Sequence, residues 1–297
     1  MKKIKVLLTT ILAIVSLSIP SLAADTNIAT HLQDISVTIR AGMAEGSGVI
    51  FTRLNDKKES VNFVWTAGHV VEDLRSVRQV ISPDGTERSI VEFKDAKIVK
   101  MIIEDGRTVG TLQLDAEVVR YSDAATGEDL ALLRIRKKNF IDNTSVKFYL
   151  NKEIPALGTE LYHVGSLLGS EGANSMTSGI YSQQGRLINK TVFDQTTVIA
   201  FPGSSGGGVF LKNGQYVGML VRGAGEAFNL IVPVRRMQTW AKTAKIEWAL
   251  DPTIKMPAED ELQKLPIEDV GKDFKNYEKA GAGKTFIKRI PVAKDQN

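Results

Sequence analysis

At 297 residues with 43% hydrophobic content, the chain can bury one large or two small cores, which excludes disorder for most of it. It contains no cysteine, and this removes disulfides, thiolate metal sites and cysteine nucleophiles from consideration. Three of the cations behind its net charge of +4 are Lys2, Lys3 and Lys5; the rest of the chain is close to neutral and holds no excess of Lys or Arg to neutralise the phosphates of a nucleic acid.

Those three lysines precede an apolar stretch from Val6 to Ile19, followed by Pro20 and Ser21-Leu22-Ala23. The order of charge, apolar run and small residues is that of a secretory signal peptide spanning 1–23, with cleavage after Ala23. The rival reading, a membrane anchor, fits less well, because the run barely reaches spanning length and ends in proline and small residues. A periplasmic or secreted protein is expected, with no membrane attachment once the leader is removed.

Short β-rich runs separated by turn residues then recur over 36–234: Ser36 to Arg40, Gly48 to Arg53, Val61 to Thr66, Ile98 to Ile103, Glu117 to Tyr121 and Asp129 to Ile135. Later runs cover Glu160 to Val164, Thr191 to Phe193, Thr196 to Phe201, Val209 to Leu211, Tyr216 to Val221 and Asn229 to Val232. Pro83-Asp84-Gly85, Asp105-Gly106 and Asn213-Gly214 supply turns, and the last of these lies between two apolar runs as a hairpin signal. This cadence predicts an all-β protein, and two six-stranded antiparallel barrels fit the length. The polar stretch Asn151 to Gly158 marks the boundary, giving a first barrel in 24–155 and a second in 156–250. From Arg235 to Leu250, Met237, Trp240, Ala241, Ala244 and Trp248 recur at three- and four-residue spacing, which predicts an amphipathic helix packed on the second barrel. Residues 251–297 balance their opposite charges and cluster few apolar side chains, so they read as a mostly flexible tail.

Three motifs carry the chemistry. A serine hydroxyl is a poor nucleophile until an imidazole takes its proton, and the imidazole keeps the right tautomer only if a carboxylate holds its other nitrogen. Gly203-Ser204-Ser205-Gly206-Gly207 offers the serine, Thr66-Ala67-Gly68-His69 the imidazole, and Asp129-Leu130-Ala131-Leu132-Leu133 the carboxylate. The glycines around Ser205 allow a turn tight enough to aim its hydroxyl and the Gly203 and Ser205 amides at one carbonyl, as an oxyanion hole. With His69 and Asp129 in the first barrel and Ser205 in the second, the site falls in the cleft between them. The other histidines read as a flexible-segment residue, His31, and a strand residue, His163; Asp123 and Glu128 read as solvated acids of a polar turn. Gly281-Ala282-Gly283-Lys284-Thr285 lacks the earlier glycine and the preceding strand of a phosphate-binding loop, so it is assigned to the tail. No metal or organic cofactor is implied.

In this order the motifs resemble those of the trypsin-like, chymotrypsin-fold serine proteases, most closely the HtrA or Deg type of bacterial cell envelopes. Gly46-Ser47-Gly48-Val49-Ile50, Gly179-Ile180 with Gly185-Arg186, and Phe228-Asn229-Leu230-Ile231-Val232-Pro233 extend the resemblance over roughly 36–240. It implies protein or peptide substrates, with His69 as general base, Asp129 as its orienter and Ser205 as nucleophile. Oligomeric state is not legible from the motifs. The resemblance also places a specificity pocket against Ile199, Ala200, Phe201, Leu220 and Val221, with Gly223-Ala224-Gly225 at its rim. An apolar floor cannot offset the desolvation of a substrate Lys or Arg, so cleavage after small or medium aliphatic residues is expected. Two departures matter. The 251–297 segment is too short for the PDZ domain that relatives often carry, and Ser204 stands where activated trypsin-like enzymes have an aspartate, so no ion pair with a freed amino terminus can form. A catalytically weak binding or chaperone-like module is the alternative function.

Overall fold

The computed structural model describes residues 28–268, except 82, 84, 86, 143–145 and 224–226, together with 286–287. Residues 1–23, where a leader is expected, and the Gly281 to Thr285 motif lie outside the described residues. In chain order the elements are a short helix α1 (Ile28–Asp34), then β1 (Ser36–Ala41), β2 (Ala44–Leu54) and β3 (Ser60–Thr66), a one-turn helix α2 (Gly68–Val71), and β4 (Arg75–Ile81), β5 (Glu87–Phe93), β6 (Ala96–Glu104), β7 (Arg107–Ser122) and β8 (Leu130–Ile135). The second half comprises β9 (Glu160–Leu167), β10 (Gly172–Ile188), β11 (Thr191–Thr196), β12 (Gly208–Leu211), β13 (Tyr216–Gly223), β14 (Asn229–Pro233), α3 (Val234–Ala244) and α4 (Glu259–Lys264). A two-residue strand, Phe286–Ile287, pairs in parallel with β5.

Two barrels close, in the strand orders β1-β2-β3-β8-β7-β6 and β10-β11-β14-β13-β12-β9, and every pairing within them is antiparallel. This is the expected all-β, two-barrel architecture. β4 and β5 stand apart as a hairpin excursion from the first barrel. The predicted Asn213-Gly214 turn joins β12 to β13, its Gly214 amide donating to Leu211 O at 2.8 Å.

All seven residues of β3 are buried, although alternate positions of a barrel strand point outward. The cover comes from the chain that follows β14. Trp65 packs edge-on to Trp240 at 5.8 Å between ring centroids, and Phe63 to Trp248 at 4.8 Å. Trp65 Nε1 donates to Ala249 O and Arg53 Nε to Trp248 O. The helix predicted over Arg235 to Leu250 is present only as α3, which ends at Ala244; Trp248 lies in a separate 3-10 turn, Glu247–Ala249, and the whole stretch reaches back to the first barrel as well as touching β13 and β14. Such aromatic pairs contribute about 0.5–1.5 kcal/mol each beyond area burial, so this strap ties the two barrels together.

Two sequence expectations are corrected. Residues 251–268 are packed rather than flexible: Met256, Leu262 and Ile267 are buried, Tyr121 N donates to Ile267 O, Arg75 forks onto Glu268 at 2.7 and 3.1 Å, and Glu259 meets Lys138 at 2.7 Å. The apolar anchors are too widely spaced to show a period, and their ionic partners lie far away in sequence. Within the predicted strand Thr196 to Phe201 only Thr196 belongs to β11; the rest runs as irregular chain, with Ile199 and Phe201 about half exposed. His31 sits in the ordered α1.

Candidate active site

His69 is carried into the seam between the barrels by α2, which follows β3 directly and is anchored by buried Val70 and Val71. Asp129 precedes β8 in a left-handed conformation (φ 56°), a region that Asp and Asn tolerate better than most residues. The loop behind it is built by Asp123, whose side chain accepts from the amides of Ala125 and Thr126. Glu128 pairs with Arg236 at 2.5 Å. Neither acid is merely solvated, since each fixes the turn that presents Asp129.

Asp129 Oδ1 accepts from both the backbone N–H and Nδ1 of His69, each at 3.0 Å, and Oδ2 lies 3.1 Å from the same ring nitrogen. Burial alone would raise the Asp129 carboxyl, yet the His69 hydrogen bonds, with a smaller contribution from Arg222, hold it below the ordinary carboxylate range. An ionised carboxylate can only accept, so Nδ1 carries the proton and Nε2 presents a lone pair. The Asp129 side chain is 3% exposed and that of His69 34%: the orienting partner is dry and the imidazole faces the cleft.

Ser205 arrives from the other barrel on a loop pinned at each end. Ser205 O accepts from Ser47 N at 2.7 Å, Gly206 N donates to Leu220 O at 2.7 Å and Leu220 N returns to Gly207 O at 2.9 Å. Gly206 has φ +87°, and a Cβ there would stand 2.2 Å from Ser47 O and 3.0 Å from Ala67 N, so no other residue type fits. Gly46 is wedged between Val70 and Ser205 O. The serine segment thus rests on the residues that flank His69 on both sides.

Backbone accounting isolates two donors. Ser204 N donates to Phe201 O and Gly207 N to Ser204 O, while Ser204 Oγ accepts from Phe201 N; the buried Ser204 hydroxyl closes the turn from within, where an aspartate would need a cation. Among the described residues, the Gly203 and Ser205 amides alone in this loop have no protein acceptor. They are the pair expected to form an oxyanion hole.

Of the expected pocket residues, Ile199 and Phe201 offer apolar surface and Ala200 is partly buried. Leu220 and Val221 instead send their side chains into the hydrophobic core, and the Leu220 backbone is bonded to Gly206 and Gly207. Asn229 Nδ2 reaches Val198 O at 2.6 Å in a buried position and braces the pocket segment from behind. Ser47 was not singled out from sequence: fully buried, it donates to Gly203 O and accepts from Ser166 N, both at 2.7 Å. Its flanking glycines, Gly46 and Gly48, were the available signal of close backbone approach.

Two antiparallel barrels, one carrying a carboxylate-held histidine and the other a glycine-framed serine loop packed on the segment around that histidine, are the architecture of the chymotrypsin-like serine peptidases. A trypsin-like peptidase domain model matches residues 46–219, more than half of the chain, and the chain belongs to that family. A Lactobacillus helveticus protein named serine protease Do-like HtrA is 32% identical over 181 residues, 59% of this chain and 35% of that protein. A Halomonas elongata protein named probable periplasmic serine endoprotease DegP-like is 33% identical over 146 residues, 47% of this chain and 27% of that one. The chain spans about a third or less of the length of these curated relatives. The fold is shared with the crystal structure of Deg5, at TM-score 0.51 and 20% identity over 72% of this chain and 90% of that one. It is also shared with a serine endoprotease from Yersinia pestis, at TM-score 0.50 and 18% identity over 74% and 65%. Among the described residues no helix is long and apolar enough to cross a membrane.

Proposed function

We propose that the protein is a serine endopeptidase that cleaves protein or peptide substrates in the periplasm or outside the cell, after removal of its leader. Ser205 attacks the scissile carbonyl, His69 Nε2 takes the hydroxyl proton and later delivers it to the leaving amine, and Asp129 steadies the imidazolium between these steps. The Gly203 and Ser205 amides receive the oxyanion. The observation that carries this reading is the double hydrogen bond from His69 to a buried Asp129, set beside a serine loop with two uncommitted amides. A fluorophosphonate probe tests it: wild type is expected to be labelled at Ser205, with labelling and casein cleavage both lost in Ser205→Ala. An unlabelled wild type, or a variant that still cleaves, overturns the assignment.

The apolar wall of Ile199, Ala200 and Phe201 supports cleavage after small or medium aliphatic residues. A Lys or Arg side chain would lose hydration against these three residues, none of which offers it a carboxylate. In a peptide library, Val, Ala, Ile and Leu are expected at the cleaved position at the expense of Lys and Arg by about tenfold or more; a profile led by basic residues refutes the pocket assignment.

A further inference from the structure

The Gly203 amide belongs to the Pro202–Gly203 peptide, and a peptide unit is planar and trans, so whatever holds Pro202 O on one side fixes the direction of Gly203 N–H on the other. Pro202 O accepts from Leu168 N at 2.8 Å. Leu168 stands at the end of β9 in a left-handed conformation (φ 62°), directly before a 3-10 turn at Gly169–Glu171. That turn is gripped from the first barrel. Glu45 Oε2 accepts from Ser170 N at 2.9 Å and Glu45 Oε1 from Ser170 Oγ at 2.7 Å. Arg40, the cross-strand partner of Glu45 in the β1–β2 hairpin, donates through Nε to Glu45 Oε1 and through NH2 to Ser170 Oγ, both at 2.8 Å.

Close packing couples these groups. A Cβ at Gly169 would fall 2.3 Å from Glu45 Oε2, and one at Gly203 would fall 2.6 Å from Gly169 N. Carboxylate, Gly169 and Gly203 form one stack with no side chain between its layers. We propose that Glu45 is a positioning residue for the oxyanion hole: with Arg40 it latches Ser170, and through the Leu168 amide it sets the orientation of Gly203 N–H. The inference rests on the reading of Ser205 as the nucleophile. A donor aimed at the oxyanion acts in the transition state far more than in substrate binding, and the latch therefore governs turnover.

The test compares Glu45→Ala, Ser170→Ala, the double variant and Glu45→Gln in the full chain. Glu45→Ala is expected to lower kcat by roughly tenfold, with KM within about twofold. Ser170→Ala should fall in the same direction, and the double variant should be no worse than the poorer single one, because both cut the same connection. Glu45→Gln keeps an acceptor for the Ser170 amide and is expected to recover part of the loss. Amide hydrogen exchange at Leu168 provides a readout independent of activity, and protection there should drop in Glu45→Ala. Unchanged kcat, multiplicative single effects or unaltered Leu168 exchange overturns the latch. A wild type that neither cleaves nor labels, yet loses Leu168 protection on Glu45→Ala, sinks the peptidase reading and leaves the latch standing.

Discussion

Asp129→Asn is expected to lower kcat/KM by about four orders of magnitude, equivalent to about 5.5 kcal/mol of transition-state stabilisation, with little loss of stability. Asp129 has two roles toward His69, accepting its backbone N–H and its Nδ1 proton. An asparagine can meet the first with its carbonyl oxygen, but its amide then faces the ring with hydrogens. The imidazole answers by moving its proton to Nε2, which can no longer act as a base toward Ser205. The backbone should tolerate the change, since asparagine adopts a left-handed conformation such as the φ of 56° here at least as readily as aspartate. Steady-state kinetics beside urea unfolding would measure both halves. A loss below about tenfold would remove Asp129 from the orienting role, and a large fall in stability would mark it as structural instead.

What the sequence made legible follows from where its signals are local. The triad motifs stood out because tight turns require glycine and a buried carboxylate must open an apolar strand; Gly206 against Ser47 and Ala67 and Asp129 ahead of β8 are the physical counterparts of those signals. Most strands of the barrels were legible as β-branched and aromatic runs between turn residues, including β3 and β14, which are buried along their whole length. β10 was missed although it is 17 residues long. Its Gly, Asn, Ser and Gln residues carry little intrinsic strand preference, and it is held by register with β9 and β11 on either side. β4 and β5 escaped notice because they form a hairpin outside the barrels, in which β4 is largely exposed and only Val91 and Phe93 of β5 reach the core, too few positions for a clear alternation.

The helix after β14 shows a different limit. Its period is plain in the sequence, but a period specifies a buried face and not its partner. Trp65 of the first barrel supplies that partner through Trp240, and Phe63 packs on Trp248 just beyond the helix, which accounts for the burial of β3 on both faces. The 251–268 segment follows the same logic at lower density. Each of its anchors is a single side chain, Met256, Leu262 or Ile267, and each ionic contact joins residues far apart in sequence. The interdependence extends to the candidate active site: Ser47 of β2 holds Gly203 O in the second barrel, so the Ser205 loop depends on both barrels being folded.

His163 makes that dependence sensitive to acid. It is fully buried in β9, its Nδ1 donates to Gly208 O at 3.0 Å, and Nε2 has no partner. Ser47 Oγ lies on the same side of Gly165 as Nε2, but its bonds to Gly203 and Ser166 are already committed. Burial pushes the imidazole down to about 4 from 6.5, only partly opposed by the Gly208 hydrogen bond. The ring is thus neutral in the folded protein while the unfolded chain takes up a proton below about pH 6.5. Because the unfolded state then binds more protons, stability is complete above pH 6.5 and is lost as the pH falls toward 4, by about 3 kcal/mol in all. Gln has no charge to gain and can still donate to Gly208 O. In His163→Gln, urea unfolding from pH 7 to 4 should therefore lose the part of the slope due to this proton, whatever the cost at neutral pH. A variant retaining the full wild-type slope would show that acid acts through groups other than His163.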